Sequence, residues 1–577
     1  MKLRHLRIRH FRCIRALDWL VGSDSVCLVG PGDAGKSTLL DAIELVLSPR
    51  WNPSFDDADF HEGTHAEPIV IEATLGELPR RLLSDSHFGL RLRGLSAGGE
   101  IADEPGDDDE LVITVRLQVD ASLEPSWEVV TDRHPEGAPI HARERERFAA
   151  TRLGAVVDRQ LTWSRGSSLA RLTGDAEEHA EMLADASRSA RASVDVGRLP
   201  RLKAAAERVA SLAMAFGVRP RSGFGPGLDA ATATLGTGGL ALHDGRVPLR
   251  RAGLGTRRLT TLAIQREVSQ TGGIVLIDEV ENGLEPFRVR RLLRELRVPT
   301  VSRRESAEGP ASPEAPSRVV IMTSHSPIAL GELRAEELRI VRPRGDHTVL
   351  LTPRAEAQHV LRSNAEAFLS EKVIVTEGRT ELGLLRGLDE HWANTGRPPF
   401  AFRGVALADG GGNTKVAGVA RVFSDLLYPT ALLADSDKPI VDSEGLIKAG
   451  VLVLLWDGAV ATEQRVFLDL PWEGVEEAIG LACEFVTSNL VREHVATALA
   501  VGPNDLPADV GAWRGFRAEP ALRAALGKAA KAGNGWFKQV DRAAALGLLI
   551  GRHLGAAGGT DLAKKITALE DWVFRDD

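Results

Sequence analysis

The chain has 577 residues and a formal net charge of -9, with 26% charged and 43% hydrophobic residues, a globular mixture that excludes wholesale disorder and collagen-like repetition. At roughly 100–200 residues per domain, its length suggests about three or four domain-sized units. No uncharged apolar run reaches the ~18 residues of a membrane span, the charged start MKLRHLRIRHFRCIR lacks the apolar centre of a secretory signal, and Cys13, Cys27 and Cys483 read as free thiols of a reducing cytoplasm.

In chain order, LRHLRIRHF, ALDWL and SVCLVG read as short strands. A Gly-rich turn and the apolar helix STLLDAIELVL follow, the strand, loop and helix context of a phosphate-binding loop. Polar turns and one alternating strand, PIVIEATLGEL, fill about Trp51 to Pro79, and residues 94–110 read as a Gly- and acid-rich surface loop between strands. RLGAVVDRQLTWSRGSSLARL is ambiguous, residues 176–215 read as helices, and Gly223–Gly227 breaks them. Beyond Gly253 come the helix TRRLTTLAIQREVS, the buried strand GIVLIDE, a low-complexity linker over 303–317 and a further buried strand, VVIMTSHS. From Glu371, strands KVIVTE, FRGVALADG, TALLADSD and VLVLLWDG alternate with helices TELGLLRGL and TKVAGVARVFSDLL, which predicts a parallel sheet. Residues 480–577 read as mainly helical.

The segment Gly30-Pro31-Gly32-Asp33-Ala34-Gly35-Lys36-Ser37, followed by Thr38, fits G-x-x-x-x-G-K-[ST]. Its backbone N–H groups and the following helix N-terminus suit a nucleotide's phosphates; Lys36 neutralises them and Ser37 offers an oxygen to Mg²⁺. A matching acid belongs at the end of a neighbouring strand, and IVLIDE supplies it: Asp278 for the Mg²⁺ shell, Glu279 to orient or deprotonate the attacking water. His325 follows the next strand and is placed to sense the γ-phosphate.

A second cluster is acidic. Glu377 ends one strand with Glu381 four residues on, and Asp435 and Asp437 end another as LLADSD. Strand ends meet at the carboxyl edge of an open α/β sheet, where ligands bind. Four acids there repel one another unless cations neutralise them, which predicts Mg²⁺ or Mn²⁺ on hard oxygen ligands. Asp409 in ADGGGN is assigned to its turn and left out of that set.

These motifs carry a resemblance. Gly253-Leu254-Gly255-Thr256, ahead of the acidic strand, resembles the signature loop of ATP-binding-cassette ATPases, which reaches the γ-phosphate held by a second subunit, although GLGT departs from the usual LSGGQ. The chain between Lys36 and Gly253 lacks sustained heptads, so no long coiled-coil arm is expected. The pattern E-G-x-x-E followed by D-x-D resembles a TOPRIM domain, and the two together resemble the OLD (overcoming lysogenization defect) family of ATP-powered nucleases. That resemblance implies an α/β fold: an ABC-type P-loop ATPase domain over 1–365 with a helical insertion or dimerisation region at roughly 150–225, then a TOPRIM parallel-sheet domain with a helical C-terminal part over 366–577. It also implies ATP with Mg²⁺, a two-metal nuclease site, DNA as substrate, and a homodimer or higher even oligomer. An accessory helicase or defence protein is left open. By resemblance, Glu377, Asp435 and Asp437 hold one metal, Glu381 and Glu463 lie near a second, and Lys538 in GNGWFK is the catalytic lysine. Tyr428, the one Tyr in the chain, is not a candidate catalytic residue. Two rivals stand beside this reading: a non-nucleolytic ATPase that clamps DNA with the second domain as scaffold, and a primase-like polymerase, for which no template-binding zinc module is seen.

Overall fold

The computed structural model describes residues 1–49, 53–83, 88–153, 157–163, 167–173, 200–228, 240–268, 273–297 and 318–575. The expected linker over 303–317, and the part of the expected insertion that precedes Pro200, lie wholly or largely outside the described residues. The chain divides into two compact units, Met1–Thr352 and Pro353–Asp577. No helix among the described residues is long and apolar enough to cross a membrane.

The first unit contains two main sheets. One is antiparallel, with Lys2–Phe11 between Ile14–Leu20 and Ile69–Gly76, and Glu110–Val119 beyond. Its first strand alternates as the sequence predicts: Leu6 and Ile8 are fully buried, while Arg7 between them faces outward. The other is mainly parallel, in the order Thr151–Leu153, Gly273–Ile277, Arg318–Thr323, Ser25–Val29, Leu338–Arg344 and His347–Leu351. The first five strands are parallel, and the last returns as a hairpin. A run such as IVLI is apolar at every position because both faces of a parallel sheet are covered.

Two readings are corrected here. Gly223–Gly227 does not merely interrupt helices, because Phe224–Leu228 forms a strand paired on one side with Leu240–Asp244. Among the described residues that strand pairs on one edge only, a setting that tolerates Pro226 and its glycines. Residues 94–110 are not simply a loop between strands either: Ile101–Ala102 folds back on Arg93–Leu95. The ambiguous segment resolves, where described, into a strand at Thr151–Leu153 and short helices at Val157–Gln160 and Ser168–Thr173.

The second unit is built on a parallel sheet ordered Val405–Asp409, Lys372–Thr376, Thr430–Ala434 and Leu452–Leu455. The earliest strand is internal, so the order in which strands are added reverses between Lys372–Thr376 and Thr430–Ala434, and a crevice opens at their carboxyl ends. Helices Arg379–Asn394 and Val540–His553 pack unusually closely. A β-carbon on Gly387 would collide with the Ala544 carbonyl, and one on Gly547 with the Leu384 carbonyl. This approach brings the segment before Val540, which carries Lys538, to the mouth of the crevice.

Candidate functional site

Gly30–Ser37 runs from the Ser25–Val29 strand into the Lys36–Val46 helix. Gly35 caps that helix at φ 91°, a left-handed conformation that suits glycine. Lys36 is buried, and its ammonium donates to the carbonyls of Gly30 at 2.9 Å and Pro31 at 2.7 Å. Burial lowers its pKa, against the opposing pull of Asp278, Asp33 and Glu279. Ser37 Oγ lies 3.5 Å from Asp278 Oδ1, and Thr38 Oγ1 lies 3.4 Å from Cys13 Sγ. The loop and the acidic strand therefore meet across the Arg318–Thr323 strand between them.

The acid turn is held firmly. The Glu279 N–H donates to Thr323 Oγ1 at 2.7 Å, and that hydroxyl donates to Asp278 Oδ1 at 2.7 Å. Arg152 donates to Asp278 Oδ2 at 3.1 Å and also pairs with Asp41 and Glu44 of the loop's helix. Glu279 sits at φ 46°, which turns its exposed side chain out of the strand direction. Arg258, on the Leu254–Val268 helix, donates to the carbonyls of Asp278 and Glu279, so the GLGT helix grips the turn that carries the acids. Gly253 is exposed, while Gly255 is buried, where a β-carbon would come within 2.5 Å of the Gly283 carbonyl. The His325 side chain is exposed, while the backbone N–H of His325 donates to Glu281 Oε1 at 2.6 Å.

In the second unit a cavity of about 450 Å³ is lined by Glu377, Glu381, Asp409, Asp435, Glu463, Lys531 and Lys538, with Gly378, Arg379, Thr380, Gly411 and Gly412. Glu377 Oε2 accepts the Asp435 N–H at 3.0 Å, and Asp435 Oδ1 accepts the N–H and hydroxyl of Thr462 at 2.7 and 2.8 Å. Glu381 caps its own helix by accepting the Gly378 N–H at 3.1 Å, and Glu463 accepts the Thr380 hydroxyl at 3.3 Å. Asp437 does not line the cavity, but it reaches it through Lys531, whose Nζ lies 2.5 Å from Asp437 Oδ2. Lys538 Nζ donates to the Gly533 carbonyl at 3.0 Å. Tyr428 is buried and donates to the Phe368 carbonyl at 2.7 Å, a packing role.

The acids raise one another's pKa. Burial, then Asp435 and Glu463, push Glu381 up to about 8. Burial is also the chief cause of the upward shifts of Glu377, Asp435 and Glu463. Among the described residues no three His, Cys, Asp or Glu side chains are gathered tightly enough to hold an ion as they stand. The donor chemistry nonetheless fits a hard divalent cation: several carboxylates, buried or half-buried, face one polar cavity with few cations to offset them.

A pH dependence follows. The folded, metal-free protein keeps the Glu381 proton up to about 8, while the unfolded chain loses it near the ordinary carboxylate value of 4.5. This contribution to stability is therefore complete below the ordinary range and is lost as pH rises toward about 8. Calorimetry in EDTA should show a Tm that falls between those limits more steeply in wild type than in Glu381→Gln, and Mn²⁺ should recover it at the alkaline end. Parallel wild-type and Glu381→Gln curves would refute the assignment.

The cavity also contains residues that the sequence reading omitted. Lys531 ends an Ala-rich helix and reads there as an ordinary basic residue near a helix C-terminus. Asp409 both lines the cavity and serves its turn, accepting the Gly411 N–H at 2.9 Å. Its position at a strand end was the available signal. Thr380 in the cavity, and Arg152 and Thr323 at the acid turn of the first unit, act through side-chain bonds to distant acids, which no local pattern announces.

Both units resemble known proteins. A family model described as "AAA domain, putative AbiEii toxin, Type IV TA system" matches residues 25–331, and one described as "Overcoming lysogenization defect protein-like, TOPRIM domain" matches residues 368–437. The OLD nuclease of Thermus scotoductus (strain ATCC 700910 / SA-01) is 32% identical over 119 residues, 18% of this chain and 22% of that protein, so the match spans about a fifth of that relative's length. Among solved structures, the SMC head domain from Thermotoga maritima is similar over 61% of this chain and 100% of that one, with 15% identity and a TM-score of 0.30. The Smc head domain with an extended coiled coil, bound to the C-terminal domain of ScpA derived from Pyrococcus furiosus, is similar over 62% of this chain and 97% of that one, with 12% identity and a TM-score of 0.36. With the first family model covering more than half of its residues, the chain belongs to that AAA-domain family, in which it is an OLD-type fusion of an AAA-type ATPase domain to a TOPRIM domain.

Proposed function

We propose that this chain is an ATP-binding and hydrolysing, divalent-metal-dependent DNA nuclease. The observation that carries the reading is one cavity at the carboxyl edge of the second sheet, where Glu377, Glu381, Asp435 and Glu463 face Lys538. Glu377, Asp435 and Asp437 are suited to one cation, and Glu381 with Glu463 to a second. Bound there, a pair of Mg²⁺ or Mn²⁺ ions supplies an activated water and charge stabilisation for the leaving oxygen of a phosphodiester.

The chain's own residues do the rest. Thr462 fixes the rotation of the Asp435 carboxylate through two hydrogen bonds, and the Asp435 N–H does the same for Glu377. Lys538 is exposed at the mouth and places a positive charge where negative charge grows on the phosphate. In the first unit, Lys36 holds the nucleotide's phosphates, Ser37 and Asp278 provide oxygens for its Mg²⁺, and Glu279 orients the attacking water. The exposed Gly253 and the start of its helix offer a surface to the nucleotide of a second copy, which supports a homodimer or higher even oligomer.

The test is cleavage of supercoiled plasmid by the purified chain. Nicked or linear product should form with Mg²⁺ or Mn²⁺, and EDTA should prevent it; arms with and without ATP read the coupling between the units. Cutting that persists in EDTA would exclude the metal-dependent reading, and no cutting with any cation, with or without ATP, would favour the DNA-clamping ATPase.

A further inference from the structure

Two lysines face the acidic cavity, and their commitments differ. Lys531 closes the Glu519–Lys531 helix, and Lys538 lies beyond a short loop. That loop is pinned: the backbone N–H of Trp536 donates to the Ala530 carbonyl at 2.9 Å, and the Trp536 and Phe537 rings are fully buried. Lys538 turns back on its own loop, to the Gly533 carbonyl. Lys531 instead spans the cavity edge to a carboxylate 94 residues away in sequence, at 2.5 Å from Asp437 Oδ2.

An ammonium in contact with a carboxylate oxygen competes with a divalent cation for it, since the two like charges repel at such separations. The Lys531 side chain is 37% exposed, so its stem can turn while its backbone stays fixed. Once displaced, its charge remains beside the cavity, where a phosphate group would enter.

We propose that Lys531 is a positioning residue of the nuclease site: it holds the Asp437 carboxylate in place until a divalent cation takes it, then turns to a backbone phosphate of the DNA. This rests on the nuclease reading above. It adds a second cation with a role distinct from that of Lys538, and it couples metal entry to DNA grip.

The experiment uses the full chain without activity as the readout. Mn²⁺ alone is titrated and free ion is followed by electron paramagnetic resonance, with wild type, Lys531→Gln, Lys531→Arg, Asp437→Asn and Asp435→Asn. Removing the competitor should tighten Mn²⁺ binding in Lys531→Gln by about threefold to tenfold, since apparent affinity scales with the competent fraction. Asp437→Asn should weaken it. In Ca²⁺, Lys531→Gln should bind duplex DNA more weakly, its log–log salt slope shallower by about 0.9, one phosphate contact. Lys531→Arg and Asp437→Asn should keep the wild-type slope. A structural ion pair predicts otherwise: Mn²⁺ affinity and salt slope unchanged in Lys531→Gln, and that result overturns the proposal. Tighter Mn²⁺ binding with an unchanged slope removes the DNA step and also overturns it. If wild type binds no Mn²⁺ and Asp435→Asn is indistinguishable from it, the nuclease reading itself falls and takes this proposal with it.

Discussion

Asp435→Asn should lower DNA cleavage by about 10²–10³-fold or more, in line with the loss of one essential charged group at a reacting centre, and leave ATP turnover near wild type. The substitution is nearly isosteric. Asn retains an oxygen able to accept the Thr462 N–H and hydroxyl, so the fold around the crevice has no reason to change. What is lost is a negative charge that already raises the pKa of Glu377, Glu381 and Glu463. The metal-free variant should therefore melt no lower than wild type. Plasmid cleavage and phosphate release measured on one preparation check this. Undiminished cleavage would remove Asp435 from the chemistry, and loss of ATP turnover in a well-folded variant would contradict the division of labour between the units.

Glu279→Gln should lower ATP hydrolysis by about 10²–10³-fold while nucleotide binding persists, because general-base or water-orienting groups contribute on that scale. Glu279 stands exposed on a turn fixed by Thr323 and Arg258, so the change removes a charge without loosening the turn. Lys36→Ala is the contrasting case: it deletes a buried cation anchored to the Gly30 and Pro31 carbonyls and should weaken both binding and hydrolysis. Trapped ATP should also hold Glu279→Gln as a dimer in light scattering. Native hydrolysis by this variant would place the water-orienting acid elsewhere, and a strict monomer with ATP at all concentrations would count against shared sites.

Much of this arrangement is legible along the sequence because its parts are local. The Gly30–Ser37 loop is contiguous, and its glycines announce themselves by what the backbone must do at Gly35. Glu377 and Asp435 were readable because apolar strands end in acid, and the parallel pairing of Lys372–Thr376 with Thr430–Ala434 sets those ends side by side. The illegible parts are tertiary. Arg152 and Asp278 are 126 residues apart, and nothing near Arg152 marks it as a partner of the acid turn. Lys531 has the local look of a helix terminus, and only its contact with Asp437, 94 residues away, reveals where its charge goes. The strand at Phe224–Leu228 is not legible because its glycines and proline argue against a strand, an argument that loses force at a strand that, among the described residues, pairs on one side only. The close approach of the helices bearing Gly387 and Gly547 likewise required both partners to be seen together.

The central claim is that the acidic crevice cuts DNA. Its most direct measurement is a side-by-side time course on supercoiled plasmid in Mn²⁺, with wild type and Glu377→Ala purified identically. Wild type should convert the plasmid to nicked and linear forms, and Glu377→Ala should leave it supercoiled over the same period. Equal conversion by the two proteins would contradict the account, since the cutting would then come from somewhere other than this cavity.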